Sequence, residues 1–261
     1  MNLRFVVRGT LLAIGVVVLS AAAVVMFTEP GRKLLPPQAP PVPVIQAPRG
    51  LLPTASVGLV ELAQYAGEDY HPVGRGFVLQ LPDGPAVGVT TAHSVSFGSL
   101  RRIALAQRET ADIISEFDTL QGKPGVPRSG EDMTVDYVLL KVPSDQSIDP
   151  ALILQPDPRG LPQPGERISL YTLQAGQPRI YDGAVLSAGP QAAWVVMDEV
   201  FEPSGLSGSP FISQHTGKVV GMAIATTRHG GKVLLGLHPI ASLVAKAQAA
   251  QLFPKIADYH R

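Results

Sequence analysis

The stretch Ser204–Pro210, SGLSGSP, places three serines and two glycines between the apolar pairs Val200-Phe201 and Phe211-Ile212. Glycine and serine mark turns throughout proteins, so a flexible connection between two strands is the simplest reading. A second reading is a nucleophile loop, whose glycines let the backbone fold tightly enough to aim two N–H groups at one point beside a serine hydroxyl. The rest of the chain separates the two. A serine hydroxyl is a weak nucleophile that needs an imidazole to take its proton and a carboxylate to fix the imidazole tautomer. Thr91-Ala92-His93 follows the apolar run 87–90, so His93 emerges where a strand ends. Asp136 opens the run DYVLLKV (136–142), and a carboxylate at the mouth of an apolar strand must find donors as it is buried. Taken singly, His93 reads as a loop histidine and Asp136 as a turn residue at the start of a strand. With Ser207 they make a complete chemical set.

From residue 57 onward, short apolar runs rich in β-branched residues alternate with Gly, Pro and Asp. The runs 57–62, 76–81, 86–90, 137–142, 167–171, 193–197, 218–224 and 232–236 each fit a short strand. Turn signals such as Pro82-Asp83-Gly84 and His215-Thr216-Gly217 favour antiparallel hairpins, and so many short strands predict a barrel or sandwich. Only 239–251, with alanine and leucine at helical spacing, reads as a helix. Twenty-one basic residues balance 21 acidic ones, so no nucleic-acid footprint is expected. With no cysteine, disulfides, thiolate zinc sites and a cysteine nucleophile are excluded. Histidines 71, 215, 229, 238 and 260 do not cluster with other ligand types at metal-site spacing and read as loop or surface residues. No metal or organic cofactor is expected.

Residues 9–27, GTLLAIGVVVLSAAAVVMF, form an uncharged apolar run whose helical length would approach the hydrocarbon thickness of about 30 Å. The expected organisation is a membrane anchor at 1–28, a proline-rich linker at 29–56 and a globular domain at 57–261. A cleaved signal peptide competes with the anchor reading. The run is long for a signal core, however, and the small triplet Ala21-Ala22-Ala23 lies inside it rather than after it. Arg4 and Arg8 precede the run and Arg32 and Lys33 follow it, so charge barely biases the orientation. Eight prolines between Pro30 and Ser56 favour extended polyproline conformation and a semi-rigid stalk.

The order His93, Asp136, Ser207 is the chymotrypsin order of triad residues. Around them the chain resembles the trypsin-like serine protease family, bacterial type. TAH at 91–93 is similar to that family's TAAH, DYVLLKV at 136–142 to its DIALLKL, and GLSGSP at 205–210 to its GDSGGP. GRGFVL at 74–79 resembles its GSGFVI strand, and GKVVG at 217–221 the hairpin after the serine. The resemblance spans about residues 57–250.

It implies two antiparallel six-stranded β-barrels of chymotrypsin type and a C-terminal helix, here preceded by one transmembrane helix. It also implies His93 as general base, Asp136 as its orienter, Ser207 as nucleophile and the amides of Gly205 and Ser207 as oxyanion hole. Ile224, Ala225 and Thr226 would offer a strand edge to an extended protein or peptide substrate. Phe201, six residues before the nucleophile, would floor the specificity pocket and favour small or apolar side chains, unless a one-residue shift puts Glu202 there. Leu206 stands where relatives matured by cleavage carry an aspartate, so a switch based on a new amino terminus is not expected. The expected activity is that of a membrane-anchored serine endopeptidase acting outside the cytoplasm. An inactive, peptide-binding module of the cell envelope is the alternative. A serine esterase is a third reading, disfavoured by chain order and strand content.

Overall fold

The computed structural model describes residues 50–109 and 112–259, all within a unit spanning Val42–Arg261. The anchor expected at 1–28 and most of the linker expected at 29–56 lie outside the described residues. Among the described residues no helix is long and apolar enough to cross a membrane.

The apolar runs fold as two antiparallel sheets. The first holds β1 (Leu59–Tyr65), β2 (His71–Gln80), β3 (Ala86–Thr90), β4 (Leu100–Ala106), β5 (Ile113–Phe117), β6 (Val138–Lys141) and the short β7 (Ile153–Leu154). Its order is β5-β4-β1-β2-β3-β6, with β7 added beside β2, the one parallel pairing among them. The second sheet comprises β8 (Arg167–Gln174), β9 (Gln177–Ala188), β10 (Ala193–Met197), β11 (Pro210–Ser213), β12 (Val219–His229) and β13 (Lys232–Pro239). It closes as a barrel in the order β10-β13-β12-β11-β8-β9. Helix α1 (Ile240–Gln248) follows directly.

The expectation of two six-stranded sheets holds: the second closes as a barrel of six, and the first has six strands along its path, with the two-residue β7 added beside β2. The ends of the first sheet are joined by the segment after β5 rather than by β5 itself. Leu120 bridges Leu140, Lys141 N donates to Thr119 O at 3.0 Å, and Gln121 N donates to Leu139 O at 2.8 Å. The transmembrane helix of that expectation is not among the described residues.

Burial fixes how the barrels meet. Leu59, Val78, Ile103, Leu105, Phe117 and Leu140 fill the first barrel, and Ile168, Val195, Phe211 and Leu237 fill the second. A third cluster joins Phe77, Leu79 and Val89 to Met222 and Ile224, and α1 adds Ile240, Leu243 and Ala247. β2 is therefore buried on both faces, which is why GFVL carries no polar alternation. Each such side chain contributes roughly 1.5–3 kcal/mol relative to exposure, so this cluster holds the two barrels in one register.

Residues 50–52, which the sequence assigns to the spacer, lie against the second barrel. Gly50 N donates to Gln214 O at 3.0 Å, and Leu52 packs on the cluster between the barrels. His238 corrects the surface reading of the histidines, because it is 0% exposed. Its ring meets Tyr137 edge-on at 5.9 Å and lies 3.1 Å from Ser242 Oγ. Burial pushes its pKa down to about 4, so it is neutral near pH 7.

Candidate active site

Asp136 follows a 3₁₀ turn, Met133–Val135, started by Asp132, whose Oδ1 accepts from Thr134 N at 2.8 Å. The turn delivers the Asp136 carboxylate, 1% exposed, into the end of the first barrel. Four N–H groups converge on it. Oδ1 accepts from Ala92 N at 2.8 Å and His93 N at 3.1 Å. Oδ2 pairs with His93 Nδ1 at 2.7 Å and accepts from Arg128 N at 3.0 Å. Burial works to raise the Asp136 pKa, but the hydrogen bond and charge of His93, with the Arg128 and Ala92 amides, outweigh it and hold it below the usual range. The group is thus ionised and can only accept. His93 Nδ1 therefore carries the proton, which leaves Nε2 with a free lone pair. Ala92 is fully buried and anchors the turn in the barrel core, while the His93 side chain stays 34% exposed.

Ser207 lies on the loop between β10 and β11, built from two successive turns. Leu206 N donates to Pro203 O at 3.3 Å and Ser209 N to Leu206 O at 3.1 Å. Leu206, 2% exposed, is buried in the second barrel core, so apolar packing anchors the loop. Burying one leucine contributes roughly 2 kcal/mol. Ser209 is also buried, and its hydroxyl donates to Thr172 Oγ1 at 2.9 Å.

β2 ties this loop to the histidine. Arg75 N donates to Ser207 O at 2.9 Å, and Arg75 O accepts from Thr90 Oγ1 at 2.8 Å, just ahead of Thr91-Ala92-His93. Gly208 has φ +94°, and a Cβ there would stand 1.8 Å from Arg75 O. Among the described residues the amides of Gly205 and Ser207 donate to no backbone carbonyl, whereas the intervening Leu206 amide does. The structure thus brings His93 and Asp136 into direct contact and fastens the Ser207 backbone to the strand beside them. Ser207 Oγ and His93 Nε2 are not hydrogen-bonded to each other.

The expected substrate residues sit on β12. That strand pairs with β13 as far as His229, with Ala225 opposite Gly236, Thr226 opposite Leu235, and Ile224 at the register shift between. On its other side, pairing toward β11 ends where Ala223 N meets Ser209 O at 2.9 Å. Residues 224–226 consequently turn an unpaired edge toward the Ser207 loop, the geometry in which an extended peptide adds as a strand. Phe201 stacks on Tyr181 with centroids 4.0 Å apart and packs against the second core. Glu202 is exposed and accepts from Ser204 N at 3.1 Å. The Arg128 amide, Thr90 and Arg75 are parts of the site that sequence reading missed. Only GRGFVL, read as a strand motif, pointed near Arg75.

No protein-family profile and no curated protein sequence matches this chain. Solved structures do match. The catalytically active tobacco etch virus protease complexed with product is similar with a TM-score of 0.51 at 16% identity, covering 81% of this chain and 86% of that one. The thermostable serine protease AL20 from an extremophilic microorganism gives 0.52 at 12% identity over 74% of this chain and 97% of that one. The HtrA-type protease AlgW with a decapeptide gives 0.50 at 14% identity over 75% of this chain and 64% of that one. These likenesses show the fold: two β-barrels arranged as in chymotrypsin-fold proteases.

Because Gly208 combines a left-handed backbone with contact against Arg75 O, Gly208→Ala should displace the Ser207 loop and cost roughly 2–4 kcal/mol. Chemical denaturation with circular dichroism measures this. Unchanged stability would mean that the loop is not fastened to β2.

Proposed function

We propose that this chain is a membrane-anchored serine endopeptidase. The observation that carries the reading is the ionised, buried Asp136 held by four N–H groups, one of them His93 Nδ1. A carboxylate so placed fixes the tautomer in which His93 Nε2 accepts a proton. In this reading Ser207 Oγ attacks the substrate carbonyl as Nε2 takes its proton. The amides of Gly205 and Ser207 receive the oxyanion, and Asp136 stabilises the imidazolium. The proton then passes to the leaving amine, and water admitted against the same base releases the acyl group. The unpaired edge at Ile224, Ala225 and Thr226 holds the substrate as an added strand. Phe201 closes the pocket for the substrate side chain, selecting small or apolar groups.

The second reading, a peptide-binding module without catalysis, is favoured by one observation, the missing hydrogen bond between His93 and Ser207. Resting enzymes often hold this bond long and tighten it with substrate, so the protease reading keeps precedence. The anchor would be residues 1–28 and the linker 29–56, with the domain outside the cytoplasm.

A fluorophosphonate probe should label the full-length chain, and Ser207→Ala should abolish labelling. His93→Ala should reduce it nearly as far, and Asp136→Asn should slow it by roughly four orders of magnitude, as expected for a wrong tautomer. A folded wild type that resists the probe over a broad pH range would favour the binding module. Labelling that survives Ser207→Ala would mean that another serine is the nucleophile.

For the anchor, the mature protein should fractionate with membranes and retain its amino-terminal residues. A mature chain starting beyond residue 23 by mass spectrometry would replace it with a secreted form.

A further inference from the structure

Glu61 lies within β1, opposite Gly74 of β2 and Leu105 of β4. It is 0% exposed. Its Oε2 lies 2.6 Å from Ser94 Oγ, while Oε1 is buried without a hydrogen bond of ordinary geometry; the Thr90 hydroxyl, whose proton goes to Arg75 O, also bears on the carboxyl. Ser94 belongs to the turn that carries His93. Its hydroxyl also lies 2.9 Å from Thr91 O and 3.1 Å from Thr91 Oγ1.

A hydroxyl has one proton to give. The Ser94 hydroxyl lies within donating distance of two acceptors, Glu61 Oε2 and Thr91 O, and has one proton for them. A neutral Glu61 carboxyl lets both contacts be hydrogen bonds, because its own proton bonds Ser94 Oγ and leaves the Ser94 proton to Thr91 O. The lack of an ordinary hydrogen bond at Oε1 points the same way, because leaving a carbonyl oxygen unsatisfied in the interior costs far less than leaving a charged one so. The carboxyl also has little room to turn away. A Cβ on Gly74 would stand 2.6 Å from Oε2 and 3.1 Å from Ser94 Cβ, so bare backbone closes that side of the chamber.

Among the described residues no lysine or arginine pairs with Glu61. The charged groups that bear on it are His93 and Asp136. Arg75, next along β2, is committed elsewhere, with Nε donating to Leu173 O at 2.9 Å and Nη1 to Gly74 O at 2.9 Å. Its remaining ion partner is Glu109, at 3.7 Å.

We propose that Glu61 is a positioning residue whose neutral carboxyl locks the Thr91–Ser94 turn that aims His93, and whose deprotonation shuts the site down. This rests on the protease reading of His93, Asp136 and Ser207. On ionisation, Glu61 and Thr91 O compete for the single Ser94 proton, and the turn loses one of its closing bonds. With that bond weakened the turn no longer holds His93 in its aim, and the rate falls. Burial is the largest influence on Glu61 and, with Asp136 adding to it, outweighs the hydrogen bonds and His93, raising the pKa to about 7. The loss of activity therefore falls near neutral pH.

The test is the rate of fluorophosphonate labelling of the full-length protein from pH 5 to 9. Wild type should pass through a maximum and fall above about pH 7. Glu61→Gln keeps an N–H donor for Ser94 and cannot ionise, so it should lack the fall. The rate ratio of Glu61→Gln to wild type should then grow at least about tenfold between pH 6 and pH 9. Glu61→Leu has no donor and should be slower than Glu61→Gln at every pH. Identical pH profiles for wild type and Glu61→Gln, or equal rates for the Gln and Leu variants, would overturn the proposal.

Carbon-13 NMR of the wild-type Glu61 carboxyl keeps the test independent of both folding of the variants and catalysis. The carbon should titrate near pH 7, and a titration near the ordinary value of 4.5 would overturn the proposal even in an active enzyme. If Glu61 titrates near 7 but no labelling occurs at any pH, the protease reading fails and the proposed lock falls with it as a catalytic device.

Discussion

The Asp136 carboxylate is the point on which the site depends. It is 1% exposed, and burying an ion without partners would cost several kcal/mol. Its two oxygens accept from Ala92, His93 and Arg128 amides and from the His93 ring, and so repay that cost by joining two other segments to the one that carries it. The turn after β3, the 3₁₀ turn before β6 and the stretch through Arg128 are each placed by what this group requires. The His93 tautomer follows from the same bonds. Removing the charge would release the imidazole and also leave two turns without a common anchor.

The serine loop is fixed by different means. Around the nucleophile, Leu206 is sunk in the second barrel, and Gly208 lies against Arg75 O of the first. Through Arg75 the loop reaches Thr90, and through Thr90 the histidine turn. Small shifts between the barrels would therefore move Ser207 relative to His93. The apolar cluster shared by both barrels and α1 resists such shifts, with Phe77, Leu79, Met222, Ile224 and Leu243 packed into one layer.

Much of this was legible in the sequence, because the chemistry demands particular residue types. His93, Asp136 and Ser207 could be singled out by type and order, and long apolar runs such as those of β3, β6 and β13 marked their strands. What escaped reading has physical reasons. β4 carries Arg101 and Arg102 near its start, and β9 contains Pro178 and Gly183 and is largely exposed in its first half, so neither shows a sustained apolar pattern. β5, β7 and β11 are short, and β7 and β11 also pair with strands distant in sequence, β2 and β8. The Arg128 amide is a backbone group and has no sequence signal. Glu61 is a single polar residue in the apolar run 57–62, and the burial of both faces of β1 forces its carboxyl inside. His238 was misread for the same reason, since it falls on a strand that is buried along nearly all its length.

The central claim is that ionised Asp136 holds the proton on His93 Nδ1 and leaves Nε2 free to act as a base. The most direct measurement is nitrogen-edited proton NMR of the full-length protein labelled on histidine, at a pH where His93 is neutral. The account predicts a far-downfield, exchange-protected proton bonded to His93 Nδ1, with Nε2 resonating as an unprotonated nitrogen, and loss of that proton signal in Asp136→Asn. A neutral His93 carrying its proton on Nε2, or an Nδ1 proton unaffected by Asp136→Asn, would contradict it.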